Sequence, residues 1–104
     1  MANYLLAYHG GHMEQTPDAQ QAAMAQWGAW FASLGDAIVD GGAPVGAART
    51  LAADGSTGDG GGANPVSGYS VVRASSLDDA LGLAKGCPVL AIGGTIEVCE
   101  TIEM

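Results

Sequence analysis

Apolar and polar positions along this chain change period several times, and each change marks an element. Residues 3–9, Asn-Tyr-Leu-Leu-Ala-Tyr-His, predict a first strand that Gly10-Gly11 ends. Thr16-Pro17-Asp18 predicts a helix start: threonine as N-cap, proline at the first helical position, and aspartate near the positive end of the helix dipole. From there Met24, Trp27, Phe31, Leu34 and Ile38 recur at spacings of three and four, one apolar stripe with Trp30 beside it. Gly35 is the natural C-cap of that helix. A second strand is read over 37–45, interrupted by Gly41-Gly42, which predicts a bulge or a close backbone approach.

Residues 46–67 are the least regular stretch. Asp54-Gly55 is a hairpin signal and the glycines at 60–62 belong to a loop. Gly68 to Ala74 reads as a third strand. Ser75-Ser76, each three residues before an aspartate, opens a second helix whose buried stripe is Leu77, Ala80, Leu81 and Ala84. Gly86 and Cys87-Pro88 stop it. The last strand, 95–102, alternates Ile96, Val98 and Ile102 on one face with Thr95, Glu97, Cys99 and Thr101 on the other.

The order β-α-β-β-α-β predicts an α+β, ferredoxin-like domain spanning 1–104, with two helices on one face of an antiparallel sheet. The opposite face has no cover within the chain. Strand one is apolar on both sides, so a homodimer joined through the sheet faces is expected.

Charge narrows the partners. The net charge is −8, with Arg49, Arg73 and Lys85 as the only lysines and arginines. Nucleic acid and anionic membrane both require clustered cations, so neither is expected as a partner. No apolar run reaches the length of a membrane span, and the opening residues lack a basic region followed by a signal-type apolar core. Cys87 and Cys99 match no metal spacing, and two lone cysteines read as reduced thiols in the cytoplasm.

The opening strand, Trp27-Gly28-Ala29-Trp30, Gly41-Gly42, Gly68-Tyr69, Ser76-Leu77-Asp78-Asp79-Ala80, Cys87-Pro88 and the closing strand 94–98 together resemble the YCII-related, or DGPF-domain, family. The resemblance implies a dimeric α-β barrel and covers nearly the whole chain. At the Asp-Gly-Pro-Phe position this chain reads Asp59-Gly60-Gly61-Gly62. The histidine and aspartate that serve as an acid/base pair in some members correspond to Met24 or a neighbour and to Cys87. The dechlorination chemistry known in the family is therefore not implied here.

His9 is the candidate catalytic residue. It is the side chain suited to proton transfer near neutral pH, and pairing of the first and last strands brings it near Glu97. The alternative is an ordinary histidine at a strand end. Trp27, Trp30, Tyr69 and Cys87 are the candidate ligand-binding residues, around a cleft between the first helix and the sheet. Trp27 sits on the apolar stripe, which makes Trp30 the better pocket residue. Gly68 would leave room beside the Tyr69 ring. Cys87 follows a helix C-terminus, where negative partial charge opposes a thiolate. His12 lacks a third histidine for a metal, and no cofactor motif is present. The sequence leaves three functions open: binding of a small cyclic or aromatic metabolite, cofactor-independent lyase or isomerase chemistry with His9 as base, and a non-catalytic partner module.

Overall fold

The computed structural model describes residues 1–12 and 15–103. Strand β1 (Ala2–His9) leads to helix α1 (Pro17–Leu34), then to β2 (Ile38–Pro44). A hairpin of β3 (Arg49–Leu51) and β4 (Thr57–Asp59) follows, then β5 (Val66–Ala74), helix α2 (Leu77–Ala84) and β6 (Thr95–Glu100). The main sheet is antiparallel with four strands in the order β2-β5-β1-β6. Both helices cover one face, and the architecture is the ferredoxin-like α+β fold.

Local signals explain the elements. Thr16 caps α1 by accepting from the Ala19 amide at 3.1 Å, with Pro17 in the first turn. Ser76 does the same for α2, accepting from the Asp79 amide at 3.1 Å. After α2 the chain makes a 3₁₀ turn over Pro88–Ile92, consistent with a proline that cannot continue an α-helix. The Asp54-Gly55 signal is realised in the β3–β4 hairpin, where Gly55 has φ +91°.

The predicted irregularity of β2 lies where the glycines are. Its register to β5 shifts on both sides of Asp40. Gly42 has φ +74°, and a Cβ there would stand 1.7 Å from the Tyr69 carbonyl oxygen. Only glycine fits.

The core lies between sheet and helices. Tyr4, Leu6 and Tyr8 of β1 and Val72 and Ala74 of β5 meet Trp30, Ala80, Ala84, Cys87 and Val89. Three expectations are corrected by this packing. Met24 is 73% exposed, so the buried side of α1 turns away from it toward Trp30. Ile38 begins β2 and packs from the sheet instead of the helix. In α2 only Ala80 and Ala84 are buried, while Leu77 and Leu81 remain largely exposed. Small residues let the short helix lie close to the sheet, which leaves its leucines at the margin.

No helix among the described residues is long and apolar enough to cross a membrane.

Candidate functional site

The pleat of the sheet sorts the five candidate residues onto opposite faces. Trp27, Trp30 and Cys87 lie on the helix side, whereas His9 and Tyr69 lie on the open side.

On the helix side the space expected to be a cleft is filled with rings. Trp27 meets Tyr8 edge-on at a centroid distance of 5.3 Å and Trp30 at 5.8 Å. Phe31 lies 5.2 Å from Trp30. The expected order of the tryptophans is reversed: Trp30 is 5% exposed and Trp27 is only partly buried. The reason is polar as well as steric. The Trp30 indole N–H donates to the Leu83 carbonyl at 3.0 Å. Leu83 is in the last turn of α2, where carbonyls lack helical partners. Trp30 thus ties the two helices together.

Cys87 is buried in the same layer. Burial pushes its thiol up to about 11, which the Val89 backbone and the Tyr8 hydroxyl offset only in part. This is a packed thiol, not a nucleophile. Beside it the Tyr8 hydroxyl donates to Ser70 Oγ at 2.7 Å, and Ser70 donates to the Gly41 carbonyl at 2.7 Å. Burial holds the Tyr8 phenol well above its ordinary value. The glycine at 68 makes room for Tyr8, not for Tyr69 as expected: a Cβ there would lie 3.2 Å from the Tyr8 ring.

On the open side, β1 contributes Asn3, Leu5 and Ala7, set opposite Arg73, Val71 and Tyr69 of β5. On the other flank Leu5 and Ala7 oppose Cys99 and Glu97 of β6, and His9 opposes Thr95. Tyr69 is exposed on this face, next to Ala7. His9 is only 8% exposed. Its Nδ1 lies 2.9 Å from the Asn64 carbonyl oxygen. A carbonyl can only accept, so Nδ1 carries a proton, and in the neutral form of the ring Nε2 carries the lone pair.

That Nε2 lies 3.4 Å from Glu97 Oε1, within ion-pair range. It is a contact without hydrogen-bond geometry: among the described residues Nε2 is buried and has no hydrogen-bond partner. The expected approach of His9 to Glu97 is therefore present. The side chain of Glu97 is 67% exposed, whereas that of His9 is 10% exposed. Such a pair can take up or deliver a proton at the sheet surface, with the carboxylate outermost.

Asn64 was not visible as a site residue in the sequence. It acts through its backbone carbonyl, which carries no side-chain signature. Next to it, Gly10, Gly11, Gly46, Gly60 and Gly61 help to line an open hollow of about 500 Å³. His12 is exposed just beyond β1, and its neighbours Met13 and Glu14 lie outside the described residues. Among the described residues no three His, Cys, Asp or Glu side chains converge on a possible metal position.

No protein-family model matches the chain, and no curated protein matches it.

Proposed function

We propose that this is a cytoplasmic, small-molecule-binding protein of the YCII-related type. It works as a homodimer through its open sheet faces. The ligand site lies on that face around His9, Glu97 and Tyr69. The aromatic cleft between helix and sheet is closed by its own side chains, which moves the reading to the other side of the sheet.

One observation carries it. A histidine tethered through Nδ1, with a buried Nε2 lone pair that no donor among the described residues satisfies, is an oriented base. Glu97 covers it and links it to the surface. Tyr69 offers a ring for a flat ligand beside it. Leu5, Ala7 and Val71 supply apolar surface for a partner sheet that would enclose the site. In this reading the ligand is a small cyclic or aromatic metabolite with an acidic proton, and the chemistry is cofactor-independent proton transfer.

The test is a thermal-shift panel of hydroxylated aromatics, lactones and unsaturated dicarboxylic acids against wild type, His9→Gln and Glu97→Gln. The expected result is a compound that raises the wild-type melting temperature and is turned over only by wild type. Binding that survives both substitutions without turnover would leave a carrier. No shift for any compound, together with a stable protein complex isolated from cells, would replace this reading with that of a partner module.

A further inference from the structure

Strand β6 is an edge: it pairs with β1 on one side only. Its free side borders a groove of about 430 Å³ against α2, lined by Asp78, Leu81, Lys85, Leu90, Ile96 and Val98. Leu81 and Leu90 remain substantially exposed there. Just past β6, Ile102 is 82% exposed. The chain there still follows the strand, because the Thr101 amide donates to the Asn3 carbonyl at 2.9 Å. Alternation then puts Ile102 on the same face as Ile96 and Val98. An unpaired edge, an apolar groove and an apolar side chain in line with both are therefore adjacent.

The backbone geometry says what the edge can accept. Thr101 bonds toward β1, so the N–H and C=O groups of Ile96, Val98, Glu100 and Ile102 point to the free side. A two-fold antiparallel pairing of β6 with a second β6 must keep like faces together. A centre at Glu97 or Glu100 would set like carboxylates opposite each other, which is destabilising. A centre at Val98 would place Ile102 against Gly94 and leave Ile96 facing a carboxylate. A centre at Cys99 places Ile102 over Ile96 in both copies and Glu100 opposite Val98. Glu100 stands opposite Tyr4 in the β1–β6 register, and Lys85 at the groove supplies the opposite charge.

We infer that a second copy of this chain occupies the groove. The two β6 strands pair antiparallel about Cys99, and Ile102 of each copy closes the groove between α2 and β6 of the other. In this register Cys99 meets its counterpart in a non-hydrogen-bonded pair, where the Cα atoms stand about 4.5 Å apart. That spacing is within reach of a disulfide. This contact is distinct from the sheet-face association. Ile102 lies on the helix side of the sheet, and Leu5 on the open side.

Sedimentation and cross-linking of variants separate the two. In Leu5→Asp, or in Tyr69→Asp if the first fails to fold by circular dichroism, the open-face contact is removed. That variant is expected to remain dimeric at sub-millimolar concentration. Copper phenanthroline, which removes two electrons and two protons from a thiol pair, should then cross-link it through Cys99. Adding Ile102→Asp should weaken association and cross-linking by about tenfold or more. Adding Cys99→Ser should abolish the cross-link and leave the mass unchanged. A monomeric open-face variant, or a cross-link insensitive to Ile102→Asp, would overturn the inference.

Discussion

Trp30 shows how one side chain can serve two elements. Its ring fills the layer between α1 and the sheet, and its N–H satisfies a carbonyl at the end of α2. Trp30→Phe keeps most of the volume and removes the hydrogen bond. Leaving the Leu83 carbonyl without its partner should destabilise the fold by about 1–3 kcal/mol. Trp30→Ala should cost about 3–5 kcal/mol. Urea denaturation followed by circular dichroism separates the two. The sequence stripe pointed to Trp27 as the buried residue, because periodicity reports which positions share a face but not how the helix is rotated on the sheet. His9 is the opposite case. Its approach to Glu97 was legible, because a short antiparallel register leaves few partners for a strand-end residue. Its tether to Asn64 was not, because a backbone carbonyl acting across the fold has no residue-type signal.

At the scale of elements, the caps and the glycines carry the most information. Thr16, Pro17 and Ser76 each stand where the sequence places a helix start. Their chemistry is local and survives any tertiary context. In β2 the requirement is tertiary: Gly42 combines a positive φ with a backbone contact against β5. Gly42→Ala should destabilise by more than about 1 kcal/mol and loosen the β2–β5 pairing. Hydrogen exchange of the β2 amides, compared with those of β1, would show whether the loss is confined to that strand. Gly28, with open space around its Cα, is the control and should accept alanine without loss. Helix α2 was misjudged at its leucines. A pattern of Leu and Ala at helical spacing does not show that a short helix can approach the sheet only through its alanines.

For the whole molecule, the buried Cys87 and Tyr8 couple stability to alkaline pH. Cys87 ionises at about 11 in the folded chain, against an ordinary value of 9.0. A raised pKa means that the folded state favours the neutral thiol. The stability this contributes is complete below about pH 9 and is lost as the pH rises through about 11. Tyr8, also raised, acts in the same direction at more alkaline pH. The melting temperature should therefore fall above about pH 9, and Cys87→Ala should flatten that fall. In a Leu5→Asp, Ile102→Asp variant, in which both contacts are weakened, a thiol reagent at neutral pH should modify the exposed Cys99 and spare Cys87 until the protein unfolds. Equal reactivity of both thiols in the native protein would contradict this packing.

What the sequence determined by itself were the features whose physics is local. These are the order of strands and helices, the helix starts, the turn at Asp54-Gly55, the irregular second strand, and the net charge of −8. Caps, turn glycines and charge totals act over a few residues or need no geometry at all. Only the tertiary structure decided which side of the sheet each candidate faces. It put Trp30 and Cys87 into the core, with Trp27 packed against it, and left His9 and Tyr69 on the opposite face. Those placements depend on the rotation of two helices on a pleated sheet, where one step along a strand exchanges core for surface.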